Sequence, residues 1–393
     1  MSAVLCLAAS ILSCSVIVVG RNASSTGRVL VGHNEDDRGV MMVRHGIVPP
    51  RDHAPGTCLP AEENCAKRIP QVPHTHGFFW TEVKCPDWDV SAADAFFNER
   101  GVLVVSDNAA PVPFEDEWTK TEDGGIYHNL RRAIAERAAS AREAVSVATN
   151  LLSTWGYAAP GRIYTVADKD EAWSIQVLKG RRYIARRCPD DGVVVVPNCL
   201  TIRKPEAGDV LAPCLRAEAK DPAFDYAKSY QGEKRWRDRT DTFRWRHLYR
   251  LAAGVDVGES YPFSVKPVRK VTADDLKKAL STHYEGTADE VKPKHGADVS
   301  ELYLPVCRRS TIESLICAFG ETAAETELQL APGSPCENAY RVFRPYSEGI
   351  PAELDDTASA VERLERHHEK MSPDEYRREV ERCKGRPVLH VCK

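Results

Sequence analysis

The chain has no surplus of basic charge: 53 Lys and Arg stand against 57 Asp and Glu, a formal net charge of −4 over 393 residues. A protein whose main partner is nucleic acid needs a basic face to neutralise phosphates, so that class is excluded. There is no Cys-x-x-Cys pair among the 13 cysteines, and without one no zinc spacing emerges. His74-Thr75-His76 with Cys85 reads as polar loop chemistry beside a proline turn, and the sequence implies neither a metal nor a cofactor. Residues 2–12 are apolar but too short to span a bilayer, so membrane insertion is not expected. No Lys or Arg precedes them, and Ile11 is a poor fit to the small residue wanted three places before a signal cleavage. They still resemble the h-region of a secretory signal, so residues 1–13 are read as a removable leader. The expected location is periplasmic or extracellular. The alternative is a cytoplasmic protein that removes its own propeptide, and Leu12-Ser13-Cys14 also offers a rough lipoprotein-type cleavage context, in which the Cys14 amine would be acylated.

What is present is concentrated between Ser13 and Asp36. Cys14-Ser-Val-Ile-Val-Val-Gly20 reads as a strand beginning at the cysteine, a Gly/Ser/Asn-rich turn follows, and Val29-Leu-Val-Gly-His-Asn-Glu-Asp36 returns as a second strand that delivers polar residues near the start of the first. If residues 1–13 are cut away, Cys14 becomes the first residue and its own α-amine can serve as its base. The amine has a reference pKa of about 7.7–8.0 and a thiol about 8.5, so proton transfer between them carries little mismatch. The thiolate is the nucleophile, and amine-activated N-terminal nucleophiles carry out acyl transfer. The competing reading is a cysteine buried as a small hydrophobe in the first strand.

Further along, Asn98-Glu-Arg-Gly-Val-Leu-Val-Val-Ser-Asp-Asn108, His283-Tyr-Glu-Gly-Thr287, Ala331-Pro-Gly-Ser-Pro-Cys336 and Arg344-Pro-Tyr346 complete a set of blocks that begins with Cys14–Ser24 and Gly32–Asp36. Together they resemble the cysteine-type dipeptidase family of N-terminal nucleophile hydrolases and, more distantly, secernins and the bile-salt and penicillin V amidases. The resemblance spans Cys14 to about Tyr346. It implies an α+β fold, an αββα four-layer sandwich of two stacked, mainly antiparallel sheets, and a cysteine-type dipeptidase acting on small unblocked peptides. The alternatives are a linear-amide hydrolase of the bile-salt or penicillin V type, or a non-catalytic binding member of the same fold.

The resemblance also assigns candidate roles. Cys14 is the nucleophile, and Asp36 would hold its amine or thiol. Asn108, at the end of a strand, is either a turn cap or an oxyanion donor, and the resemblance favours the donor. Asn198 falls where a second asparagine beside the scissile amide is expected. The basic run Arg235–Arg250 reads as a solvated helix with one basic residue turned inward. That residue is Arg244, with Arg246 as the alternative. His33 departs from the amidases, which carry Arg within Gly-Arg-Asn-x-Asp, so the cation nearest the thiol is titratable here.

For the rest of the chain, strands are expected at 41–47, 78–83, 102–105, 162–166, 172–178, 182–186 and 193–196. Ala92–Glu99 is read as a short helix, Tyr127–Thr154 as one long sheet-covering helix and Ala273–Leu280 as an amphipathic one. The proline-rich stretch 49–73 is expected on the surface as a lid near the substrate entrance. Removing Cys6 with the leader and reserving Cys14 leaves an odd number of cysteines, of which Cys58 with Cys65 and Cys383 with Cys392 are close enough to suggest local bridges. The domain reading is a leader at 1–13, a catalytic domain at 14–348 and a charged helical extension at 349–393, whose helices pack on the sandwich or on another subunit.

Overall fold

In a computed structural model the described residues are 14–36, 42–62, 64–85, 90–109, 111–231, 239–295 and 305–355, with 372 and 374. The leader, the Cys383–Cys392 pair and nearly all of the extension lie outside them. Among the described residues no helix is long and apolar enough to cross a membrane.

The strands, numbered along the chain, are β1 Ser15–Val19, β2 Leu30–Asp36, β3 Met42–Val48, β4 Arg51–Asp52, β5 His74–Thr75, β6 Phe78–Cys85, β7 Val90–Asn98, β8 Leu103–Asn108, β9 Tyr157–Ala167, β10 Ala172–Gly180, β11 Tyr183–Arg187, β12 Val193–Val196, β13 Val210–Leu211, β14 Ser264–Val265, β15 Thr311–Ala318, β16 Glu327–Pro332 and β17 Arg341–Phe343. They form a seven-stranded sheet in the order β14-β12-β1-β2-β15-β16-β17 and an eight-stranded sheet in the order β13-β11-β10-β9-β8-β7-β6-β3. Every described pairing within these two sheets is antiparallel. The short β4–β5 ribbon stands apart.

Both faces of the first sheet are buried, and for that reason β1 and β12 are unbroken apolar runs rather than alternating ones. Val16, Val18, Val31, Val194 and Val196 point into the core shared with the second sheet. Ile17, Val19, Leu30, Val193 and Val195 point the other way, into a core closed by two helices, α3 Arg239–Leu248 and α4 Ala273–Leu280. On the far side of the second sheet lie α1 Asn129–Arg137 and α2 Ala141–Trp155. The layers are therefore helix, sheet, sheet, helix, the four-layer αββα sandwich of two antiparallel sheets that was expected.

Three local expectations are corrected. The stretch read as one helix over 127–154 is two, because Ser140 caps α2 by accepting from Glu143 N while Glu143 Oε2 accepts from Ala139 N at 2.8 Å. These two bonds start a new helix where a single one was expected. Ala92–Asn98 lies in a strand, not a helix. β7 fills the gap between β6 and β8, with Phe96 on Phe78 toward the helices and Phe97 on Phe319 between the sheets; ladder bonds on both edges override the helical propensity of its alanines. The 49–73 stretch lies largely at the surface, as expected, and is anchored at a few points. Leu59, Ala66 and Ile69 enter the core, Asn129 Nδ2 donates to the Pro60 carbonyl at 2.6 Å, and buried Glu62 accepts from Tyr127 N. Cys58 and Cys65 within it are free thiols, because Cys58 is bridged to Pro70 and Leu59 N donates to the Ile69 carbonyl.

Candidate active site

The β1–β2 register sets Ser15 opposite Asn34 and Val16 opposite His33, which brings Cys14 alongside Glu35 and Asp36. Strand alternation then divides the polar residues of β2 between two faces. His33 and Glu35 share the inter-sheet side with the thiol. Asn34 and Asp36 turn to the helical side, where Asn34 Nδ2 donates to the carbonyls of Leu280 at 2.9 Å and Val306 at 3.3 Å.

Cys14 is buried. Its thiol donates to Glu35 Oε2 at 3.3 Å and lies 3.8 Å from the Asp36 carbonyl oxygen. His33 Nε2 stands 3.6 Å from the same Glu35 oxygen and 3.3 Å from Asp107 Oδ1, which reaches across from β8 in the other sheet. Glu35 and Asp107 are thus two carboxylates at the thiol that sequence reasoning missed. The alternation of β2 would have pointed to Glu35, but Asp107 becomes visible only when the sheets are stacked.

A carboxylate at this distance constrains the chemistry. Two unit negative charges 3.3 Å apart repel by about 5 kcal/mol at an effective dielectric constant near 20. A thiolate beside ionised Glu35 therefore requires a cation in the same space. Protonated His33 would be one, and an α-ammonium group would be another.

On the opposite side of Cys14, α3 supplies Arg244, fully buried. Its Nη1 donates to the Cys14 carbonyl at 2.5 Å, to Ser15 Oγ at 3.2 Å and to Asn198 Oδ1 at 3.1 Å, and its Nη2 donates to the Pro197 carbonyl at 2.8 Å. Arg246 is about half exposed and faces Asp256 at 3.4 Å. Of the two arginines, Arg244 is the one at the cysteine.

Asn198 follows β12 in the left-handed region, at φ 65°. Its Nδ2 donates to the Asn108 carbonyl at 2.8 Å while its Oδ1 accepts from Arg244. Those two bonds fix the amide orientation and leave the second N–H to bond elsewhere. Asn108, by contrast, enters this network through its main-chain carbonyl.

The Asp36 carboxylate is taken up by Arg308 Nε at 3.5 Å and by the Thr311 hydroxyl, which donates to it. Burial pushes its pKa up to about 6, against the pull of Arg308, Thr311, Arg244 and His33. The group that Asp36 presents to the thiol is its backbone carbonyl. Arg308, fully buried, is a second cation that the sequence did not single out. Cys14, His33 and Asp107 also have donor atoms within 4.8 Å of one another, as do His74, His76 and Glu99 at the surface.

A family profile described as Peptidase family C69 matches residues 13–324. Over 369 residues the chain is 25% identical to a protein named "Probable dipeptidase" from Salmonella dublin, covering 86% of this chain and 82% of that one. Over 398 residues it is 23% identical to a "Dipeptidase" from Bifidobacterium longum, covering 89% and 74%. Among solved structures, a variant of the conjugated bile acid hydrolase from Clostridium perfringens aligns with a TM-score of 0.45 at 12% identity, covering 87% of this chain and 94% of that one.

Proposed function

The chain belongs to peptidase family C69, and from that premise we propose that it hydrolyses unblocked dipeptides by attack of the Cys14 thiolate through an acyl-enzyme intermediate. The observation that carries the reading is the convergence on Cys14 of Glu35 and His33 on one side and of Arg244 with its bonded Asn198 on the other.

In the mature chain the Cys14 α-amine takes the thiol proton, and Sγ attacks the substrate carbonyl carbon. The negative charge then moves onto the carbonyl oxygen, where the remaining Asn198 N–H donates to it. Collapse of the tetrahedral intermediate breaks the C–N bond, and the α-ammonium returns its proton to the leaving amine. Water, activated by the same amine, attacks the thioester and releases the acyl group with Cys14 restored. Arg244 acts through other groups, fixing the Cys14 main chain and the Asn198 amide.

The preference for a free N-terminus follows from Glu35. A substrate α-ammonium placed there meets the Glu35 carboxylate directly, whereas an N-acyl group buries that carboxylate without an opposite charge of its own. A hydrogen bond to a charged group contributes about 1.5–3 kcal/mol, so kcat/KM for a dipeptide should exceed that for its N-acetyl derivative by about 10- to 100-fold. Hydrolysis of matched free and N-acetylated dipeptides, with and without prior thiol alkylation, measures this. Alkylation should remove the activity. Cleavage of N-acyl amides with dipeptides untouched would instead support the amidase reading, and no hydrolysis of either would support a binding role.

A further inference from the structure

Behind the catalytic strand, on the helical side of the first sheet, four side chains that no spacing rule groups come together. The donor atoms of His283, His295, Cys307 and Cys336 all lie within 4.8 Å of one another. His283 and Cys307 are fully buried and His295 is 6% exposed.

Two of the donor separations match those of a tetrahedral set. Bonds of roughly 2.0–2.3 Å at tetrahedral angles put neighbouring donors about 3.3–3.8 Å apart. His295 Nε2 lies 3.3 Å from Cys336 Sγ and 3.7 Å from Cys307 Sγ, and the two imidazole rings have centroids 4.9 Å apart. His283 adds an independent sign. Its Nδ1 faces Glu285 Oε1 at 2.9 Å, while its buried Nε2 has no hydrogen-bond partner. A carboxylate on one imidazole nitrogen with the other aimed into a cluster of thiols is the outer arrangement that metal-bound histidines adopt. A disulfide between Cys307 and Cys336 would leave that buried nitrogen unsatisfied.

We propose that His283, His295, Cys307 and Cys336 bind one zinc ion at a structural site. Two thiolates and two imidazoles suit a soft divalent ion without geometric preference, and four protein ligands leave no open position for catalysis. The ion would join four segments: the turn Thr282–Gly286, the stretch that ends at His295, the chain at Cys307-Arg308, and the loop after β16. Cys307 N already donates to the Thr282 carbonyl at 3.1 Å, and Ser334 Oγ donates to the Arg308 carbonyl at 2.5 Å. Since Arg308 holds the Asp36 carboxylate, zinc would fix the support behind Cys14 without touching substrate.

The test is metal analysis of the full-length protein purified without chelator. It should hold one zinc per chain, released stoichiometrically by a thiol-modifying mercurial. Cobalt(II) exchanged into the site should show tetrahedral d–d bands with sulfur-to-cobalt charge transfer, and X-ray absorption should show two sulfur and two nitrogen neighbours. Cys336→Ser and His283→Ala should lose the metal, while His283→Cys, which keeps four ligands, should retain it with one more sulfur in the shell. If either loss variant cannot be obtained folded, the wild-type cobalt and absorption spectra decide alone. Protein without zinc above background and two mass units light from a Cys307–Cys336 disulfide would overturn the proposal. So would zinc whose shell lacks sulfur.

Discussion

Cys14→Ala is expected to lower kcat for dipeptide hydrolysis by about 10⁴-fold or more, the scale on which loss of a nucleophile acts when the groups around it work as one unit. That corresponds to at least about 5 kcal/mol of transition-state stabilisation. Stability should change far less. The substitution removes one buried sulfur at the start of β1 and leaves the β1–β2 and β1–β12 ladders intact, a cost of about 1–2 kcal/mol. Cys14→Ser should keep a trace of activity, because the hydroxyl is a weaker nucleophile with the same base beside it. Steady-state kinetics with urea unfolding of the same samples separates the two quantities. Activity within tenfold of wild type in Cys14→Ala would return Cys14 to the role of a strand residue.

Arg244→Ala is expected to damage both folding and activity. It strips hydrogen bonds from the carbonyls of Cys14 and Pro197, from Ser15 Oγ and from Asn198 Oδ1, in a place without solvent. Each buried acceptor left without a donor costs about 1–3 kcal/mol. With partial relaxation, a loss of about 3–5 kcal/mol in unfolding free energy follows. kcat should fall by about 10²- to 10³-fold, because the Asn198 amide is no longer oriented toward an oxyanion. Arg244→Lys keeps a donor and should recover part of the stability, but one ammonium cannot span the four acceptors, so kcat should recover less. Arg246→Ala is the control. It removes one exposed pair with Asp256 and should change stability by less than about 1 kcal/mol. Equal effects at 244 and 246, in urea midpoints and in kcat, would contradict this division of roles.

Much of the sandwich is readable in the sequence, because many of its strands are apolar runs bounded by turn residues. Val193–Val196 shows this plainly, the strand expected at 172–178 is found as Ala172–Gly180, and α4 was legible from its amphipathic spacing to the residue. β7 was not. Ala92-Ala93 suggests a helix until two neighbouring strands are seen to need a partner between them. The break between α1 and α2 was written in Ser140-Ala-Arg-Glu143, but the continuous apolar stripe of Leu130, Ile134, Ala138 and Ala141, all buried, masks it.

At the site, the family resemblance brought Cys14, His33 and Arg244 together, with Arg246 as the alternative to the last. Glu35 was hidden by the attention drawn to its neighbour Asp36, although period-two alternation places the two carboxylates on opposite faces of β2. Asp107 and Arg308 owe their positions to contacts across the sheets and across the chain. The four zinc-ligand candidates lie outside every local spacing rule, since 53 residues separate the first from the last. They are gathered by the turn after α4 and by the chain on either side of β15 and β16.

The central claim is that Cys14 works through its own amine, so the active chain must begin there. An amide nitrogen cannot accept the thiol proton at neutral pH, and an attached leader or an acyl group would leave one in place of the base. Intact-mass analysis with N-terminal sequencing of protein that turns over a dipeptide tests this directly. The expected result is a chain that starts at Cys14 with a free, unlipidated amine, and with specific activity that rises in proportion to the fraction processed. Full activity in a chain that still starts at Met1, or in one whose Cys14 amine is acylated, would contradict the mechanism.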